Sequence, residues 1–252
     1  MPMQQGIIHY LATISTALLV WTLCNFIIYY LNRKKECFFN YIEKYGKEEK
    51  NAKNVSLVIA HPDDEVMFFL PTLNLLFREV FLLCLSNGNY YRQGIIRDKE
   101  IYDVWSYLGG EKKNCKVVDN PKIQDGWTSW NEELLVNILK DHCSKHNIRK
   151  VLTFDSYGIS GHPNHRSVYK SARILSRTQG ITVFTLNSTN LIHKYLGLFA
   201  FPFLLRKKLL VPFFNPILLF RLMLLYRSQF TYFRILFCVF SQKCMGSQVC
   251  AS

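Results

Sequence analysis

After Asp155 the sequence contains no acidic residue. Up to that point 19 Lys and Arg stand against 18 Asp and Glu, whereas beyond it 12 Lys and Arg stand alone, so nearly all of the +13 net charge lies in the C-terminal third. A cationic segment of this kind suits nucleic acid or an anionic membrane surface. Its basic residues are separated by runs of Phe, Leu and Tyr rather than by polar spacers. That spacing argues against nucleic acid and for lipid.

Any Cys-x-x-Cys pair is also missing. The 8 Cys, from Cys24 to Cys250, are scattered, with Cys84 inside an apolar run. This fits reduced thiols in a protein facing the cytosol.

A third absence is charge between Ile7 and Leu31, a stretch of 25 residues without Asp, Glu, Lys or Arg. About 20 apolar residues in a helix cross a bilayer core. Arg33, Lys34 and Lys35 follow the stretch and no basic side chain precedes it. The excess of positive charge on cytoplasmic flanks then puts the rest of the chain in the cytoplasm. A cleaved signal peptide would have a shorter apolar core, about 7–15 residues, with positive charge before it. The expectation is an uncleaved, single-pass anchor.

What remains suits one domain with appendages in a chain of 252 residues. The expected division is an anchor at 7–31, a polar connector at 32–54, a domain at 55–190, and a basic, apolar, membrane-associated region at 191–252. In that last region Tyr195–Leu205 and Leu209–Phe220 are too short to span as helices, and Pro202, Pro212 and Pro216 interrupt them. An interfacial or re-entrant segment is expected, with packing against the domain as the alternative.

Within the domain, apolar runs at Val55–Ala60, Val80–Ser86, Lys116–Val118, Val151–Phe154 and Ile181–Leu186 read as strands. Helical patterns at Glu65–Arg78, Ile95–Leu108, Asn131–His142 and His165–Thr178 alternate with them. Short, wholly apolar strands alternating with helices predict an α/β, Rossmann-like fold: a mostly parallel sheet with helices on both faces.

Two motifs carry chemistry. Ala60-His61-Pro62-Asp63-Asp64-Glu65 lies where a strand ends and a helix begins, the end at which parallel sheets bind ligands. His61 and Asp64, three apart across a proline turn, can converge on one ion, and Asp63 between them can face its water. Gly161-His162-Pro163-Asn164-His165 repeats the strand-to-helix placement and adds two imidazoles. Either motif alone also reads as a turn that caps a helix. Glu65 can simply complement the helix N-terminus. Together the motifs point to a metal hydrolase with three protein ligands and an open position.

These residues resemble the LmbE-like zinc-dependent de-N-acetylases, and more closely the eukaryotic membrane branch that acts on N-acetylglucosaminylphosphatidylinositol. The likeness extends through Val58–Phe69, Ser86–Gly94, Arg97, Glu100, Thr153–Asp155 and Ser160–His162, and covers roughly residues 55–190. Arg227-Ser228-Gln229 resembles a short C-terminal element of the branch. The resemblance implies Zn2+ held by His61, Asp64 and His165, with another divalent metal also accepted. It implies Asp63 as general base and protonated His162 as oxyanion stabiliser. Asn89 and Arg97 are candidate substrate contacts, though Arg97 reads equally well as a helix-surface residue paired with Glu100 or Asp103. The implied activity is removal of acetate from the glycolipid, the second step of glycosylphosphatidylinositol-anchor synthesis, on the cytoplasmic face of the endoplasmic reticulum membrane. The implied partners are the membrane glycolipid and the bilayer, with no nucleic acid. Deacetylation of another amino-sugar conjugate, or a non-catalytic zinc-binding adaptor, is the alternative. The chain departs from the pattern at Asn164, where many bacterial relatives have Asp, and at Tyr226 beside the Arg-Ser-Gln element.

Overall fold

The computed structural model describes residues 54–76, 80–188, 210–212, 215–241 and 246–251, with scattered helical residues between 15 and 41. Five parallel strands form the centre: β1 (Val55–Ile59), β2 (Val80–Cys84), β3 (Cys115–Val117), β4 (Lys150–Phe154) and β5 (Thr182–Leu186). Every residue of β1 is buried, as a central strand covered on both faces requires. The helices in chain order are α1 (Asp64–Met67), α2 (Leu70–Leu76), α3 (Gly94–Tyr107), α4 (Glu132–Lys145), α5 (Gly158–Gly161) and α6 (Pro163–Gln179).

The full strand order is β3-β2-β1-β4-β5-β7-β6, where β6 is Leu210–Pro212 and β7 is Gly246–Ala251. Order reverses between β1 and β4. With right-handed crossovers, chains leaving these neighbouring strands turn to opposite faces and open a crevice between them. The two sequence motifs follow β1 and β4, so both sit at that switch point.

Local chemistry sets the helix starts. Asn131 Oδ1 accepts from the Leu134 N–H to cap α4, and Glu132 and Glu133 favour its positive end. In α6 the cap is His162, with Pro163 in the first turn, and Gly180 closes the helix at φ 66°.

In its described part the C-terminal region follows the alternative reading, packing against the domain. The described part of 191–252 is not set apart from the domain. It packs on it through α7 (Pro216–Leu225) and α8 (Tyr232–Phe240). Leu219, Leu222, Met223, Tyr226 and Phe237 are buried in the same core as β1 and β4. Strand β7 extends the sheet by antiparallel pairing with β5. Apolar composition alone does not distinguish a face buried in protein from one buried in lipid. The expected interfacial run Tyr195–Leu205 lies outside the described residues, as do most of the anchor at 7–31 and the connector at 32–54. Among the described residues no helix is long and apolar enough to cross a membrane.

Candidate active site

The β1 motif turns sharply. Asp63 has φ 104° and ψ −21°, a left-handed conformation that a non-glycine residue adopts at a cost. The turn aims Asp63 and Asp64 in different directions. Asp64 Oδ2 accepts from the Ala60 and His61 N–H groups at 3.2 and 2.9 Å, which locks its carboxylate beside the His61 ring.

His61, Asp64 and His165 are all buried, and one donor atom from each falls within 4.8 Å of the others. His61 Nδ1 lies 3.6 Å from Asp64 Oδ2, and His165 Nε2 lies 3.4 Å from Asp64 Oδ1. His165 Nδ1 faces the Gly158 carbonyl at 3.1 Å, so its Nε2 lone pair is free for a metal. Phe154 stacks on the same ring at 4.0 Å and fixes its plane. Gly158 is required for this approach. At φ 67° a side-chain Cβ would meet the His165 Cβ at 2.8 Å. Burial works to raise Asp64, but His165 and His61 hold it well below the usual carboxylate range. An anionic carboxylate and two imidazoles with nitrogens turned inward fit a divalent metal of the zinc type.

Asp125 was not legible in the sequence. Its Oδ1 lies 3.1 Å from His61 Nε2, and Asn164 Oδ1 lies 3.0 Å from the same nitrogen. The His61 Nε2–H is thus donated outward and Nδ1 is left for the ion, the arrangement that orients metal-binding histidines. His61, Asp125 and His162 also cluster closely enough to hold a metal. The His61 nitrogen that cluster needs is the one already donating, so Asp125 is read as a support and not a ligand. Burial opposes charge on His61, yet Asp125, with help from Asp64, raises its pKa above the ordinary value.

His162 differs from the protonated form expected. Its Nδ1 accepts from the Asn164 N–H at 3.3 Å, which leaves Nε2–H as a donor. Burial, with His61 and His165 close by, lowers its pKa to about 4. The neutral imidazole is therefore the form present near neutral pH. Trp127 lies against this ring at 4.8 Å.

Arg97 is neither on the helix surface nor paired with Glu100 or Asp103. It is buried and donates to the Gly88 carbonyl at 2.9 Å and also to the Pro62 carbonyl. It pairs with Asp125 at 3.2 Å and with Asp63 Oδ1 at 3.5 Å. Gly88 makes room for the guanidinium, because a Cβ there would fall 2.4 Å from it. Glu100 instead accepts from the Ser228 N–H at 2.8 Å and from its hydroxyl. The Arg-Ser-Gln element is thereby tied to α3. Asn89 does not reach the cavity; its side chain accepts from the Gly94 N–H at 3.0 Å and starts α3.

Two further residues come from the C-terminal helices. The Tyr226 hydroxyl donates to Glu65 Oε1, and Glu65 Oε2 accepts from the Asp63 N–H at 3.2 Å. Burial, with Asp63 and Asp64 adding to it, pushes Glu65 up to about 8. Arg234 of α8 reaches Asp63 Oδ2 with Nη2 at 2.8 Å and Nε at 2.9 Å. These side chains surround a cavity of about 720 Å³ that His61, Asp63, Asp64, His162, His165 and Arg234 all line.

A model of the family described as PIG-L: GlcNAc-PI de-N-acetylase matches residues 56–175. The N-acetylglucosaminyl-phosphatidylinositol de-N-acetylase of Bos taurus is 39% identical over 198 residues, covering 74% of this chain and 78% of its own length. The chain belongs to the GlcNAc-PI de-N-acetylase family. A probable N-acetylglucosaminyl-phosphatidylinositol de-N-acetylase of Schizosaccharomyces pombe is also 39% identical, over 158 residues covering 60% of this chain and 64% of that protein. Among solved structures, the N,N'-diacetylchitobiose deacetylase of Pyrococcus horikoshii has a TM-score of 0.57 at 17% identity, covering 85% of this chain and 91% of that one. That likeness establishes the shared α/β fold. The family match runs from the second residue of β1 through most of α6, and so contains both motifs, whereas Tyr226 and Arg234 lie beyond it.

Proposed function

We propose that this chain hydrolyses the acetamide of N-acetylglucosaminyl-phosphatidylinositol, releasing acetate and leaving a glucosamine on its lipid. This is the second step of glycosylphosphatidylinositol-anchor synthesis. The names of the relatives support the substrate. One observation carries the chemistry: Asp63 stands between two candidate metal ligands in the sequence yet is not part of their cluster, and its carboxylate lines the cavity beside Arg97 and Arg234.

His61, Asp64 and His165 hold the metal, zinc being the expected ion and other divalent ions fitting the same donors. When bound, it supplies Lewis acidity towards the acetamide carbonyl and the attacking water. Asp63 takes the proton of that water as general base. His162 offers its Nε2–H to the carbonyl oxygen as negative charge develops there. The proton held by Asp63 then passes to the departing sugar nitrogen. Asp125 and Asn164 keep the His61 ring in its working tautomer, and Arg97 fixes Asp125 and Asp63 relative to each other.

The lipid part of the substrate calls for a membrane setting. Tyr90, Tyr91, Trp127 and Phe233 line the cavity and are exposed. Aromatic side chains of this kind suit the headgroup layer of a bilayer. The 7–31 segment anchors the chain in the endoplasmic reticulum membrane, with the domain on the cytoplasmic side.

The test is acetate release from vesicles containing the lipid substrate, before and after chelation and after adding Zn2+ back. Loss on chelation and recovery with Zn2+ is expected. Undiminished release from fully metal-free enzyme would exclude the metal role, and no release from metal-loaded enzyme would exclude the substrate.

A further inference from the structure

Two guanidinium groups touch Asp63, and they differ in freedom. Arg97 is held by two carbonyls and two carboxylates, with its side chain 5% exposed. It has no room to turn. Arg234 has a side chain 29% exposed, lines the cavity, and meets Asp63 Oδ2 through a hydrogen bond from Nε at 2.9 Å and an ion-pair contact from Nη2 at 2.8 Å. In the free enzyme Oδ2 of the proposed base is therefore occupied by the Arg234 guanidinium. With Arg97 also 3.5 Å from Oδ1, both oxygens face a guanidinium, and cations held so close make the carboxylate a weaker acceptor of a proton from water.

We propose that Arg234 receives the phosphodiester of the substrate and thereby frees Asp63, so that the anionic headgroup unmasks the base. The proposal rests on the substrate class given above. Guanidinium and phosphate match in geometry and charge, and bidentate pairs between them are among the stronger hydrogen bonds. The exchange keeps Arg234 paired with an anion at each stage, so no lone charge is left in a half-buried site. Phe233, Leu236 and Phe237, the neighbours of Arg234 on α8, line the same cavity and give the lipid end of the substrate an apolar wall. Arg234 then serves specificity: a sugar without the phosphate enters the cavity but meets a base that is still covered.

The experiment compares a short-chain N-acetylglucosaminyl-phosphatidylinositol with N-acetylglucosaminyl-inositol, which lacks the phosphate, as substrates for metal-loaded enzyme. The wild type is expected to favour the phosphate compound. Arg234→Ala should lower kcat/KM for that compound about 10- to 100-fold while leaving turnover of the neutral one equal or higher. Arg234→Lys, which keeps charge but loses the fork, should fall between. A parallel loss on both substrates would reduce Arg234 to a residue that positions Asp63, and overturn the proposal. So would a wild type that does not discriminate between them. A wild type that cleaves neither would overturn the substrate assignment and this proposal with it. Binding gives a second readout. Asp63→Asn weakens the hold on Arg234, so it should bind the phosphate compound more tightly than wild type does and the neutral compound no better; unchanged affinity for both overturns the proposal even where a variant at 234 does not fold.

Discussion

Asp125 and His61, 64 positions apart in the chain, meet at 3.1 Å, carboxylate to imidazole Nε2. The pair decides which nitrogen of His61 is available to an ion. Asp125→Asn keeps an acceptor but removes its charge, and the ring loses basicity at Nδ1, the nitrogen left for the ion. Metal affinity should fall about 10- to 100-fold, as outer partners of metal-binding histidines generally contribute that much. Competition against a chelator measures it, and wild-type affinity in the variant would rule out the support role.

Asp63 tests base chemistry and backbone strain separately. Asn tolerates its left-handed conformation far better than Ala does. Asp63→Asn should keep the fold and the metal while turnover drops about 10²- to 10⁴-fold. Asp63→Ala should lose similar activity and also about 1–2 kcal/mol of stability. Equal unfolding midpoints for the two variants would argue against strain, and near-wild-type turnover in the Asn variant would remove Asp63 as the base.

Tyr226→Phe removes the hydroxyl donor from a fully buried Glu65. An unsatisfied buried group costs about 1–3 kcal/mol, so the unfolding free energy measured in urea should fall by that amount, with a lower midpoint. Because Glu65 also holds the Asp63 N–H, turnover should fall as well. A variant as stable and as active as wild type would show that the link across 161 positions is incidental.

Acid sensitivity should come partly from outside the site. His142 is buried, its Nε2 lies 2.9 Å from the Ser56 hydroxyl, and burial, with His146, Lys116 and Lys145 nearby, lowers its pKa to about 3. The folded chain keeps this ring neutral while the unfolded chain protonates it below the ordinary value near 6.5. A depressed pKa of a base stabilises the fold above the unfolded value and loses that contribution as pH falls from about 6.5 towards about 3. The slope is at most about 1.4 kcal/mol per pH unit for one proton. His142→Gln, which retains a donor for Ser56, should flatten the curve in this window. An identical pH dependence in the variant would exclude His142 as the source.

Much of the candidate site was legible in sequence because its candidate ligands come in compact motifs. His61, Asp63 and Asp64 share one turn, and His162 and His165 share one helix start. Short spacing across a strand-to-helix junction is a local property, set by backbone geometry before any tertiary contact forms. The parallel strands were equally readable, since a strand buried on both faces is apolar throughout.

The roles of Asp125, Arg97, Arg234 and Tyr226 could not be read that way. Asp125 and Arg234 lie alone in their stretches of chain with neither motif nor periodicity to single them out, Arg97 and Tyr226 stood out by resemblance without their partners, and all four acquire those partners only when separate elements pack at the switch point. The C-terminal helices make the same case: lipid and protein core both accept Leu and Phe, so hydropathy left their destination open until packing buried Leu222 and Tyr226 against the domain. Local sequence thus determined the ligand motifs and the strand-helix alternation, which depend on neighbours along the chain. Tertiary structure alone decided the charge pairs around Asp63 and His61, because those depend on distances between residues the chain keeps far apart.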